Sequence, residues 1–166
     1  MRAALALGLL AGCAGREPGP LVDHEAWTWV EAAADPLSEH RPNPVDCAPT
    51  EWRVEAGALE VETSACNYAA LSQPLARPVD EGAPLRVIAW HSTLDAAEVG
   101  EAHVAILLAG HLVWERFVPI PSAPGAMDDS FDSPVAANEG DPVVLHLHNH
   151  GDNAWTFLSF EVSETN

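Results

Sequence analysis

Three histidines near the end of the chain carry the most chemistry. His146, His148 and His150 fall two apart within the run VVLHLHNHGDNAWTFLSFEV, residues 143–162. Side chains alternate faces along a strand, so imidazoles two apart point the same way and can chelate one ion. Nitrogen ligands of this kind suit Zn²⁺ or Cu²⁺. His91 closes another strand-like run, and His103 and His111 sit on a predicted hairpin; any of them could complete a site. The competing reading leaves these histidines on a sheet face, bonded to backbone or water. Asp128, Asp129, Asp132 and Asp152 could hold Ca²⁺ through oxygen, but their spacing matches no calcium loop. Trp90, Trp114 and Trp155 form a second candidate set, since sugar rings stack on exposed indole faces. The alternative for them is the core, because Trp carries a large apolar surface.

The elements that must position these groups read as short strands. Val143, Leu145 and Leu147 share one face and Val144, His146, His148 and His150 the other. Gly151-Asp152-Asn153 predicts a turn. Trp155, Phe157 and Ser159 then alternate with Thr156, Leu158, Phe160 and Val162, as in a strand from the middle of a sandwich. Upstream, Trp52–Glu55 and Ala58–Glu62 flank Ala56-Gly57, and Ala102–Leu108 and His111–Val118 flank Ala109-Gly110, which predicts two hairpins. Residues 66–71, Leu85–His91 and a weaker 127–132 add further strands. Residues 25–34 could form one short helix or a strand, and Pro36, Pro42 and Pro44 break regular structure after it. About eight or nine short strands with Gly and Pro between them predict one all-β antiparallel domain, a sandwich or barrel, over residues 25–166.

From Trp52 on, the layout resembles the galactose-binding-like jelly rolls of carbohydrate-binding modules. The matching pieces are Trp52 with Gly57-Ala58-Leu59, the run Leu71-Ser72-Gln73-Pro74, Gly82 leading into Leu85–Trp90, and Gly140-Asp141-Pro142-Val143 leading to Trp155–Val162. The resemblance implies a jelly-roll β-sandwich with a ligand on edge loops or a concave face, and a structural calcium ion is common in the family. Phe160-Glu161-Val162 stands where the family has an Asp-Asn-Val-like run. A partial cupin pattern, Gly140 then His146-x-His148, lacks its glutamate at 152 or 153 and its second motif.

The first residues address location. Met1–Gly12, MRAALALGLLAG, has a charged start, an apolar middle and small residues at the end, the layout of a signal peptide. Leu10-Ala11-Gly12-Cys13 resembles a bacterial lipobox, which implies cleavage before Cys13 and its acylation; an ordinary signal peptide containing a cysteine is the alternative. Several acyl chains make a stable anchor. Ala14 after the cysteine leans towards the outer membrane, and residues 13–24 read as a flexible tether.

Net charge is −18, and removing residues 1–12, with one Arg and no acid, gives −18 − 1 = −19. All seven basic residues are Arg. Such acidity argues against nucleic acid and anionic lipid as partners. Cys47 and Cys66 form an even pair in an exported chain, which predicts a disulfide contributing about 3 kcal/mol. No GxSxG, HExxH, phosphate loop or dinucleotide fingerprint is present, so no enzyme is expected. The reading is a lipid-anchored envelope protein with a binding or interaction module, for carbohydrate or another envelope protein. The alternatives are a transition-metal protein using His146, His148 and His150, and a structural lipoprotein without a small ligand.

Overall fold

The computed structural model describes residues 17–164. The signal segment and Cys13 lie outside the described residues. The strands are β1 (Gly19–Pro20), β2 (Thr28–Trp29), β3 (Trp52–Glu55), β4 (Ala58–Glu62), β5 (Tyr68–Pro74), β6 (Pro84–His91), β7 (Gly100–Leu108), β8 (His111–Ile120), β9 (Gly125–Asp132), β10 (Pro142–His148) and β11 (Ala154–Val162). They form two antiparallel sheets, a jelly-roll β-sandwich. One sheet runs β3-β4-β11-β6-β9 with β1 also on β11, and the other β2-β5-β10-β7-β8. Among the described residues nine strands have four residues or more, within the eight or nine expected.

Alternation builds the core between the sheets. Leu71, Val143, Leu145, Leu147, Val104, Ile106 and Leu108 face inward from one sheet. Leu59, Val61, Leu85, Val87, Ala89 and Phe160 face them from the other. Both predicted hairpins form. Ala56-Gly57 (φ 51° and 81°) and Ala109-Gly110 (φ 51° and 82°) take positive φ at both central residues, the twist that matches adjoining strands.

Three expectations are corrected. Residues 143–162 are not a hairpin: β10 pairs with β5 and β7, β11 with β4 and β6, so the turn between them crosses from sheet to sheet. Strict alternation also fails in β11. The register shifts between Phe157 and Ser159, Leu158 is left out of the pairing and exposed, and Trp155, Phe157, Phe160 and Val162 all face the core. Residues 19–22, placed in the expected tether 13–24, belong to the sandwich, because Gly19 and Pro20 pair with β11 and Leu21 and Val22 are buried. Leu21 also ties the two sheets together: its N–H donates to Phe160 O (2.9 Å) and its carbonyl accepts from Ala76 N (2.9 Å), just beyond β5.

Residues 30–46 lie as a strap on the outer face of the β5-β10-β7 sheet. Of the helix or strand considered for 25–34, a two-residue strand forms, β2 on β5, and two three-residue 3-10 turns, Ala32–Ala34 and Ser38–His40, shape the strap after it. Val30 packs on Tyr68 and Ala70 in a second small core, with Val45 against it. Val30 N donates to Ala70 O at 2.9 Å. At the far end Asp46 and Asn67 exchange hydrogen bonds, and Cys47 and Cys66 form the expected disulfide.

Candidate metal centre

The outer face of β10 carries His146 and His148, as alternation requires. The neighbouring strands set what meets them. His148 is the register partner of Tyr68 on β5 and of His103 on β7, while His146 stands opposite Ala70 and Ala105. The small alanines leave room for the His146 ring, which lies 5.0 Å from Tyr68 and 4.8 Å from His103 between centroids. His40, at the end of the second 3-10 turn, comes down onto the same place, 4.9 Å from His103 and 5.7 Å from His146. One ring nitrogen from each of His40, His103 and His146 lies within 4.8 Å of the others.

The strap holds His40 there through one buried carboxylate. Asp35 accepts from Leu37 N (2.9 Å), from Arg41 Nη1 (3.1 Å) and from the Tyr68 hydroxyl. Its side chain is 1% exposed and that of Arg41 15%. The Arg41 guanidinium also lies over the Tyr68 ring at 5.2 Å. Burial, followed by the Asp35 carboxylate, pushes the Tyr68 hydroxyl well above its ordinary range, so it stays a donor.

Two of the three imidazoles, His103 and His146, are set against binding a proton. His146 is fully buried, and neither ring nitrogen has a protein partner. Burial, then the neighbouring His103, pushes its pKa down to about 3. Burial likewise lowers His103, with Glu115 opposing. His103 Nε2 lies 3.0 Å from Glu115 Oε2, which leaves its Nδ1 buried and without a partner. A carboxylate on one nitrogen and an open second nitrogen is the arrangement that orients a metal-binding histidine. Phe117 stacks on the other side of His103 at 4.2 Å and fixes the ring plane. A buried polar group without a partner costs about 1–3 kcal/mol. A shared ion would satisfy the open nitrogens together. Zn–N bonds of about 2.0–2.1 Å place tetrahedral nitrogens roughly 3.3 Å apart, so the trio closes by about 1.5 Å at most. His40, exposed on its turn, can supply that movement.

The predicted residues divide sharply. His146 is in the trio, and His148 and His150 continue beside it, 4.7 Å apart between rings. His103, weighed as a completing ligand, is in it; His40 is the residue sequence reasoning missed. His91 is elsewhere: it lies on the other sheet, buried against Trp155 at 4.9 Å, with Nδ1 2.8 Å from Ser92 O. His111 is exposed at the opposite end of the β7–β8 hairpin. Among the described residues the three imidazoles are the sole group of three or more His, Cys, Asp or Glu within such reach. The four aspartates considered for Ca²⁺ therefore do not converge. Asp128 is bonded to Arg86 (2.7 Å), and Asp129 to Trp114 Nε1 (2.9 Å) and Arg116 (2.8 Å). Trp114 and Trp155 are core residues, each at most 5% exposed, and only Trp90 of that set, at 38%, offers a face to solvent.

No protein-family model matches this chain, and no curated protein matches it. Among solved structures, it is similar to an arabinose-bound α-L-arabinofuranosidase at 10% identity and a TM-score of 0.47, covering 87% of this chain and 24% of that one. It is also similar to the N-terminal cellulose-binding domain of a Cellulomonas fimi β-1,4-glucanase (16%, TM-score 0.44, 73% of this chain and 93% of that one). A family 16 carbohydrate-binding module matches at 14% with a TM-score of 0.40, over 72% and 86% of the two chains. The sandwich described above rests on this chain's own strand pairing.

Proposed function

We propose that this is an exported envelope protein, anchored through an acylated Cys13, whose sandwich binds one transition-metal ion at His40, His103 and His146. The observation that carries the metal reading is His146: a fully buried imidazole with both nitrogens unpartnered, facing two further imidazoles. Three neutral nitrogen ligands without thiolate or carboxylate favour Zn²⁺, Cu²⁺ or Ni²⁺ over Ca²⁺ or Mg²⁺, with Cu²⁺ the tightest in the usual order. The test is metal content and affinity of the tag-free mature domain after dialysis against Zn²⁺, Cu²⁺ and Ca²⁺. About one tightly held transition-metal ion is expected, with loss in His146→Gln and in His40→Ala. Retention of the ion by both variants would remove the trio from consideration. The anchor is tested apart from the metal: Cys13→Ser should move the protein from the membrane to the soluble fraction.

A second reading is carbohydrate binding on the opposite sheet. It is favoured by Trp90, the exposed indole on β6, which shares its face with the Arg86–Asp128 ion pair four residues away. An indole face flanked by charged hydrogen-bonding groups suits a sugar ring. Quenching of Trp fluorescence by oligosaccharides, abolished in Trp90→Ala, would support it.

A further inference from the structure

Beside the trio stands a second pair of imidazoles that the three-histidine site does not use. His148 is half-buried, and its Nε2 is buried without a protein partner. His150 is exposed, with its ring 4.7 Å from that of His148. The pair adjoins the trio, since His148 is the register partner of His103.

The turn that carries His150 is built rather than loose. Asn149 is fully buried and donates through Nδ2 to Thr63 Oγ1 at 2.8 Å. Asn153, also buried, donates to the His150 carbonyl (3.2 Å) and accepts from Asp95 N (2.7 Å). Its own carbonyl accepts from both Thr63 N (2.7 Å) and Thr63 Oγ1 (2.9 Å). Gly151, at φ +96°, lets the 95–100 loop come close: a Cβ there would meet Asp95 O at 2.0 Å. That loop and His150 together line an open cleft with Glu98 and Gly100. His150 is thus held at the lip of a cleft, at the outer end of a line of imidazoles leading to His146.

We infer that His148 and His150 form a second, outer station for the same class of borderline transition-metal ion, which captures it from solvent and passes it to His40, His103 and His146. This inference rests on the three-histidine reading for its inner end. Two imidazoles bind more weakly than three, so the outer ion exchanges quickly while the inner one is retained. His103 and His146 are buried beneath the strap and Phe117, whereas His150 is open to solvent. A ligand pair at the surface gives the ion a partly coordinated intermediate, so it need not shed its whole water shell in one step.

The experiment uses the metal-free mature protein and Co²⁺, whose visible spectrum reports the ligand set, with equilibrium titration and stopped-flow mixing. The wild type should take about two equivalents, one tight and one weak. His150→Ala, a surface change with no structural bond of its side chain, should lose the weak equivalent. Its tight affinity should remain, and its tight site should fill several-fold more slowly. His146→Gln should keep a weak equivalent that His146→Gln/His150→Ala loses. A wild type with one tight equivalent and no weak one overturns the inference, and so does filling of the tight site in His150→Ala at the wild-type rate. A wild type with no tight ion but a weak one abolished by His150→Ala defeats the three-histidine reading, and with it the transfer step, while the outer pair stands.

Discussion

Among single residues, His146 is the most costly to bury: neither of its ring nitrogens has a protein partner. In the metal-free protein it is a neutral base kept from both protons and hydrogen bonds. Its folded pKa, about 3, lies below the ordinary value near 6.5, as do those of His148, pushed down to about 4 first by burial and then by His150, and of His103. Between the folded and unfolded values the unfolded chain binds more protons, so stability is full above about pH 6.5 and falls as pH drops towards 3. A fully shifted group changes unfolding free energy by about 1.4 kcal/mol per pH unit in that window. Urea midpoints of the metal-free domain should therefore fall steadily from pH 7 to pH 4, and His146→Leu should flatten the slope; a slope unchanged by that substitution would assign the acid sensitivity to other groups. Glu115 acts one bond further out. Glu115→Ala should weaken metal binding by about 10–100-fold while the melting temperature of the metal-free protein stays nearly constant. Glu115→Gln, which still accepts a hydrogen bond, should recover much of the affinity.

At the scale of elements, the strap decides whether there is a site at all. β10 and β7 supply two imidazoles from a rigid sheet, but the third arrives on residues 38–40, whose place depends on Asp35. Asp35→Ala strands the Arg41 charge and frees the Tyr68 hydroxyl inside the fold. Breaking a buried pair by removing one partner costs about 3–5 kcal/mol. The expected result is a lower melting temperature together with metal affinity reduced to that of His40→Ala, because His40 loses its support. If affinity survives while stability falls, the strap is a cover and His40 is not a ligand. This element also marks where reading the sequence stops. Period-two alternation places His146 and His148 outward and Leu145 and Leu147 inward, and both hairpin turns follow from Ala-Gly pairs. His40 carries no such mark. It lies between Pro36 and Pro42, and its neighbours in space, His103 and His146, are 63 and 106 positions away, so only the strand order β5-β10-β7 brings them together. The bulge at Leu158 was hidden for a related reason: a one-residue slip leaves composition unchanged while it turns Phe160 and Val162 inward.

At the scale of the whole molecule, the acidic surface joins the site. A net charge of −18 raises the local concentration of divalent cations around the domain, and steering of this kind acts on association rates and weakens as salt screens it. Imidazole–metal bonds are short-range and barely sense the ionic atmosphere, so they govern how long the ion stays. The two contributions separate experimentally. Raising the ionic strength from about 0.01 to 0.15 M shortens the screening length from about 30 to 8 Å. Over that range the rate of Co²⁺ association with the metal-free protein should fall steeply, and its dissociation rate should hardly change. His40→Ala should do the reverse, speeding dissociation while association keeps its salt dependence. An association rate indifferent to salt would mean that capture is limited by a step inside the fold, opening of the strap being the first to examine.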